Sequence, residues 1–282
     1  MNLRIEKAPR TGFCFGVKRA IDTLEKVARE RGQIETLGAV VHNHQVMQRL
    51  ADIGVQVADS VEEIKGNTVA VSAHGVGPQV EDEIRKRNIE IVNFTCSFVR
   101  RAQKAAQRLS KAGFFVIVYG DVSHPEVKGI LGWADGKGIA TMDIESLKKL
   151  KVLPRQIGVL SQTTQIPAYF NTFVKNLIDF ALKKDAEIRI IDTICHDIRE
   201  RQQANLDLAN RVDIMLVIGS NTSANTNHLT QLCSSVTITY QVETAEDIQP
   251  SWFEGNELVG VTSGTSASEE TINEVVSRLK SL

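Results

Sequence analysis

Apolar positions recur along the chain in three rounds of the same order. Each round opens with a helical stripe at i, i+3, i+4, i+7 spacing. The first is Val17, Ala20, Ile21, Leu24, Val27 and Ala28, stopped at Gly32. The second is Val99, Ala102, Ala105, Ala106, Leu109 and Ala112 before Gly113, and the third, with Ile198, Ala204, Leu208, Ala209 and Val212, is weaker. A buried-type strand follows and breaks into a polar loop: ETLG into AVVHN, FVIVYG into DVSHPE, IMLVIG into SNTSAN. A second such strand ends in small polar residues, as VAVSAHG, IGVLSQTT and LVGVTSGTS. Strand, polar loop, helix and strand in repetition predict an α/β protein with small parallel sheets. Ligands of such sheets sit at the carboxyl ends of the strands, where these polar loops lie.

A further strand precedes the second and third stripes, as IEIVNFTC and IRIIDTIC, but the third round ends in a helix, ETINEVVSRLKSL. Its missing strand is matched by NLRIEK at the other end of the chain. The expectation is therefore three similar α/β domains: 14–95, 96–194, and 195–282 completed by the N-terminal strand within 1–13. The N-terminal strand then closes a ring, with a cysteine at each domain junction.

Those cysteines carry the same local pattern. Cys14, Cys96 and Cys195 each open a stripe as Cys, two residues, Val or Ile, then Lys or Arg. Each has a glycine 24 residues on, at Gly38, Gly120 and Gly219; Cys233 has Glu257 there instead. A cysteine at a helix N-terminus meets the positive end of the helix dipole, which favours thiolate, and Lys18, Arg19, Arg100, Arg101 and Arg199 add positive charge. Taken singly, each reads as a small core residue. Three in phase read as ligands converging on a soft metal or an iron–sulfur cluster, one short of four, which leaves an open position for substrate. Cys233, on the apolar face of HLTQLCSSV, reads as packing.

Composition changes the picture mainly by exclusion. The 282 residues are 42% hydrophobic and 24% charged, with a net charge of -1. No global basic excess points to nucleic acid. Runs such as FFVIVYG are too short to span a bilayer, and MNLRIEKAPR has no apolar signal core. The expected setting is cytoplasmic, with thiols used for metal or catalysis rather than for disulfides. The charged stretches EDEIRKRN and LKKLK read as solvated helix faces.

His42, His74 and His124 all fall in strand-end loops. His124-Pro125-Glu126 forms a turn able to aim an imidazole and a carboxyl the same way. Glu126 reads as a general acid beside an anionic cluster, or as an N-cap for VKGILGWA. The last third offers hydroxyls and amides at two strand ends: Ser220, Thr222, Ser223, Asn225, Thr226 and Asn227, then Thr262, Ser263, Thr265 and Ser266. These read as turns and caps singly, and together as a grip for an oxyanion-rich ligand such as a diphosphate. Neither a Walker A loop nor a strand-GxGxxG-helix fingerprint is present.

The motifs GFCFGVKRAI, VVHN, SAHGV, Thr95-Cys96, SHPEVKG, QTT, TIC with a later RQ, GSNTSANTNHL and TSGTSASEE run from residue 12 to about 270. In number and order the chain resembles the LytB/IspH family, the 4-hydroxy-3-methylbut-2-enyl diphosphate reductases of the methylerythritol phosphate isoprenoid pathway. The resemblance implies a pseudo-threefold trefoil of three α/β domains around one 4Fe–4S cluster held by Cys14, Cys96 and Cys195. It implies reductive removal of an allylic hydroxyl, giving isopentenyl and dimethylallyl diphosphates, with an electron donor such as ferredoxin or flavodoxin. Glu126, Thr163 and His124 match the family's catalytic group. His42, His74, His124, Thr163, Ser223, Ala224, Asn225 and Ser266 match its substrate contacts. Ala224 stands where the family usually has a second serine, so that contact is expected through the backbone or not at all. Ser97 stands in place of the usual Pro, and HDIRE follows Cys195 in place of an aromatic and small residues. Two other readings use the same cysteines: a three-cysteine 4Fe–4S dehydratase, and a cluster- or zinc-stabilised sensor without catalysis.

Overall fold

In a computed structural model, which describes residues 3–150 and 152–282, the chain forms twelve strands and ten α-helices in α/β alternation. In chain order these begin β1 (Arg4–Lys7), α1 (Phe15–Arg31), β2 (Ile34–Leu37), α2 (His44–Asp52), β3 (Val55–Ala58), β4 (Thr68–Val71), α3 (Pro78–Lys86) and β5 (Glu90–Asn93). They continue α4 (Ser97–Lys111), β6 (Phe115–Tyr119), α5 (Pro125–Gly132), β7 (Gly138–Ala140), α6 (Ile144–Lys148), β8 (Gln156–Ser161), α7 (Pro167–Ala181) and β9 (Glu187–Ile190). The last are α8 (His196–Ala209), β10 (Ile214–Ile218), α9 (Ala224–Ser234), β11 (Ile238–Val242), β12 (Leu258–Ser263) and α10 (Glu269–Lys280). Met1, Asn2 and Lys151, parts of the sequence readings of the first strand and of LKKLK, lie outside the described residues.

The strands form three four-stranded sheets, ordered β3-β2-β4-β5, β7-β6-β8-β9 and β11-β10-β12-β1. Every pairing is parallel. The three orders are one topology repeated, and β1 supplies the fourth strand of the last sheet, Ile5 opposite Val259. The glycines 24 residues after the cysteines follow the equivalent strands β2, β6 and β10. The edge strands β3, β7 and β11 have no counterpart in the apolar pattern. They are three to five residues long, and β7 and most of β11 are only partly buried.

The chain divides into two compact units. One comprises Met1–Asp22, Val41–Asp52 and His196–Leu282; the other comprises Thr23–Val40 and Ile53–Cys195. The first unit holds the sheet of β1, β10, β11 and β12. Ile214, Leu216 and Ile218 of β10 join Val261, Ile272, Val275 and Leu279 on one face. Met215, of opposite phase, packs with Leu208, Val212 and Cys233 on the other, the period of two that a strand imposes. The second unit holds the other two sheets and repeats this arrangement. Val116 and Val118 of β6 face Ala102, Ala106 and Ile130, while Ile117 and Tyr119 face Phe170, Phe173 and Leu177. Strands buried on both faces account for the unbroken apolar runs FVIVY and IMLVI.

Candidate active site

In the second unit the parallel pairing of β6 with β8 sets Tyr119 opposite Ser161, so the two strands end side by side. After β6 the chain turns at Asp121, whose Oδ1 accepts from the Ser123 N–H at 2.8 Å and its hydroxyl at 2.7 Å. His124 then caps α5: its Nδ1 accepts from the Glu126 N–H at 3.2 Å. That bond assigns the neutral imidazole proton to Nε2. The helix cap is thus His124, and the Glu126 carboxyl is left for other use.

That carboxyl turns to the end of β8. Thr163 donates its N–H to Glu126 Oε1 at 2.6 Å and its hydroxyl to Oε2 at 2.8 Å. Glu126 is 2% exposed, and among the described residues no cation pairs with it. Burial pushes its pKa up to about 7, against the two bonds from Thr163, which act to lower it. A carboxyl held near half-protonation at neutral pH is suited to proton transfer. His74, after β4, sets its ring edge-on to His124, with centroids 5.2 Å apart.

Two cysteines are tied to these same strand ends. Cys195 donates its N–H to the carbonyl of Thr163 at 2.9 Å, and Cys96 to that of Ala73 at 3.0 Å. Thr163 therefore fixes both the Glu126 carboxyl and the backbone of Cys195. Cys96 is the N-cap of α4, and Cys195 immediately precedes α8.

In the first unit Cys14 immediately precedes α1, and its Sγ accepts from the Val17 N–H at 3.5 Å. Arg201, 6% exposed, donates to the carbonyls of Gly12 at 3.0 Å and Phe13 at 3.5 Å, and to Asp197 at 2.9 Å. The segment before Cys14 is thus clamped by a residue that reads, in sequence, as one more charge on an amphipathic helix. All four cysteines are free thiols, three of them partly exposed. Cys233 is fully buried in an apolar cluster, and burial pushes its pKa up to about 12, which disfavours thiolate.

The hydroxyl and amide loops of this unit meet at the ends of β10 and β12. Ser223 caps α9, accepting from the Thr226 N–H at 3.4 Å, and the Ser266 hydroxyl donates to Ser223 Oγ at 3.4 Å. Asn43 donates to the Ser266 carbonyl at 2.9 Å while accepting from the Val46 N–H at 3.0 Å. It therefore caps α2 and joins the segment carrying His42 to this loop. Its signal in sequence is an Asn three residues before Val46. His42 is half-buried, and burial lowers its pKa, which keeps the ring neutral. Ala224 and Asn225 are the first two residues of α9, where backbone N–H groups have no partner within the helix. Asn225 is 4% exposed, yet neither its Oδ1 nor its Nδ2 has a partner among the described residues. A buried amide left open at a helix N-terminus fits an oxyanion.

The fold and these groups define a class: a three-sheet α/β protein with a cysteine heading one helix in each repeat, a buried acid at one strand end and a cluster of hydroxyls with an open amide at another. The chain belongs to the LytB protein family, whose profile matches residues 5–280. It is 58% identical over 280 residues to a 4-hydroxy-3-methylbut-2-enyl diphosphate reductase of Dehalococcoides mccartyi, covering 99% of each chain. It is 41% identical to the reductase of that name from Geobacter metallireducens, covering 99% of this chain and 98% of the other. Among solved structures it is similar to one described as (E)-4-hydroxy-3-methyl-but-2-enyl diphosphate reductase, the terminal enzyme of the non-mevalonate pathway. That match has 36% identity, a TM-score of 0.70 and 99% coverage of each chain. The fold is also that of a diphosphate reductase structure from Plasmodium falciparum, with a TM-score of 0.91 at 23% identity over 98% of this chain and 88% of the other.

Proposed function

We propose that this chain reduces 4-hydroxy-3-methylbut-2-enyl diphosphate to isopentenyl and dimethylallyl diphosphates, the final step of the methylerythritol phosphate pathway. The observation that carries the reading is the buried pair of Glu126 and Thr163. The change is R–OH + 2 e⁻ + 2 H⁺ → R–H + H₂O, and the hydroxyl must acquire a proton to leave as water. With Glu126 ionised, Thr163 donates to it. With Glu126 protonated at Oε2, the bond reverses: the carboxyl donates to Thr163 Oγ1, whose own proton then turns to the substrate oxygen. The Thr163 N–H continues to hold Oε1 throughout. His124, tied to the Glu126 backbone, and His74, edge-on to it after β4, are assigned to the substrate hydroxyl as neighbours of this pair.

The diphosphate is assigned to Ser223, Asn225, Ser266 and the backbone N–H of Ala224, with His42 and His74 as further donors. Of the two expectations for Ala224, a backbone contact or none, its place as the first residue of α9 supports the backbone contact. Cys14, Cys96 and Cys195 are assigned to one 4Fe–4S cluster. Their fit is chemical: three free thiols at helix N-termini, one already accepting a backbone N–H, are a soft donor set. When bound, the cluster supplies electrons and a Lewis-acidic iron. The repeats 14–95, 96–194 and 195–282 with 1–13 are taken as its three domains. The electrons are assigned to a small carrier such as ferredoxin or flavodoxin, and the setting to the cytoplasm. No helix among the described residues is long and apolar enough to cross a membrane.

The test is anaerobic turnover of the allylic diphosphate by reconstituted protein with reduced methyl viologen. Wild type is expected to form both products. Glu126→Gln is expected to keep iron content and substrate affinity but to lose about 10²–10⁴-fold in kcat. A Glu126→Gln rate within a few-fold of wild type would remove the acid from its role. A dehydratase would convert its substrate with no reductant, and a sensor would convert none.

A further inference from the structure

Helix α4 carries Arg100, Arg101, Lys104, Arg108 and Lys111 and no Asp or Glu anywhere in its 15 residues. All five cations are exposed, while Ala102, Ala105, Ala106 and Leu109 of the same helix are buried. Arg100 donates to Asn93 Oδ1 at 3.2 Å, Arg101 to the Asp192 carbonyl at 2.9 Å and Arg108 to the Lys104 carbonyl at 3.4 Å. Among the described residues none of the five is in an ion pair. Like charges four residues apart repel along a helix, so the stripe weakens α4 on its own account.

The threefold repeat supplies an internal control. The two equivalent cysteine-headed helices mix their charges: α1 includes Asp22, Glu25 and Glu30, and α8 includes Asp197, Glu200 and Asp207. The chain as a whole has a net charge of -1. The basic character therefore belongs to one helix, neither to the protein nor to the repeat. That helix begins at Ser97, with Cys96 as its N-cap. Beside it lies a cleft of about 290 Å³ whose walls include Thr95, Arg100, Gln103, Lys104 and Trp133, with Glu81 engaged by Arg85 at 2.9 Å. The cleft thus runs from the basic face to Thr95, the residue next to a proposed cluster ligand.

We propose that the exposed face of α4 docks an acidic one-electron carrier protein and passes its electrons in at Cys96. The inference rests on the reductase reading above. Breaking one C–O bond and forming one C–H bond takes two electrons and two protons, so a one-electron carrier docks and is oxidised twice per turnover. Repeated docking calls for fast, weak encounters, which charge steering supplies better than a large apolar interface.

The test uses anaerobically reconstituted enzyme and, as probe, a reduced acidic 2Fe–2S ferredoxin. The variant combines Lys104→Glu, Arg108→Glu and Lys111→Glu; the control combines Arg278→Glu and Lys280→Glu on α10. Iron content, turnover with reduced methyl viologen, turnover with ferredoxin, and ferredoxin binding are each measured. The triple variant is expected to keep wild-type iron and viologen-driven turnover. Its ferredoxin-driven kcat/KM is expected to fall by roughly tenfold or more at low salt, with binding weakened alike and the salt dependence flattened. The control is expected to match wild type. Unchanged ferredoxin binding in the triple variant would overturn the proposal, as would an equal loss in the control. Should wild type turn over with neither reductant, the reductase reading fails, and the binding measurement still decides the docking face.

Discussion

Burial sets the Glu126 carboxyl apart from an ordinary one. Its folded pKa of about 7 stands above an ordinary 4.5, because burial disfavours the charged form. Between those values the folded chain binds more protons than the unfolded one, so stability falls as pH rises. The contribution is full below about pH 4.5 and lost as pH passes about 7; its size is on the order of 3 kcal/mol. Glu126→Gln removes the titration. In urea unfolding of metal-free protein, the variant's stability relative to wild type is expected to climb from pH 5 to pH 8 and level off above. Parallel pH curves would contradict the buried-acid assignment. The local sequence discloses the acid only in part. His124-Pro125-Glu126 shows a turn with an aimed carboxyl, but the capping of α5 by His124, which frees that carboxyl, follows from coordinates. Its partner Thr163, 37 residues on, is supplied in sequence by family resemblance. Arg201 shows the opposite failure: nothing local separates a buried clamp from a solvated charge.

At the scale of elements, the central strands were legible because burial on both faces leaves continuous apolar runs, and the helices because their stripes are wide. The edge strands β3, β7 and β11 were not; the opposite edges β1, β5 and β9 are as short and as exposed, and were read from their place in the repeat. The glycines show a packing demand that composition hides. Gly219, at φ +146°, and Gly264 both abut Thr226: an added Cβ would lie 2.6 Å and 2.1 Å from its Oγ1. Thr226 is fully buried in the first turn of α9, beside the proposed diphosphate donors. Gly264→Ala is expected to cost about 1–3 kcal/mol through overpacking. It should also weaken diphosphate binding by moving the start of α9. Thr226→Ala in the same chain should recover part of the stability, a non-additive pair. Additive losses in a double-mutant cycle would show that the two positions do not press on one another.

Over the whole molecule, one supersecondary unit is written three times, and the chain's two ends share the last sheet through β1 and β12. This repetition is why so much could be read in advance: each round checks the others, and the odd one out, Cys233, stands apart on spacing alone. The loops that distinguish the repeats, with an acid in one and a proposed anion grip in another, depend on side chains meeting at strand ends. They were legible only as residue types in phase. The account holds that each repeat contributes one sulfur to a common cluster. The most direct measurement is iron and acid-labile sulfide per chain in four anaerobically reconstituted variants: Cys14→Ser, Cys96→Ser, Cys195→Ser and Cys233→Ser. The first three are expected to lose most of the iron and sulfide that wild type binds, and the fourth to keep it. Wild-type content in any of the first three, or a comparable loss in the fourth, would contradict the account.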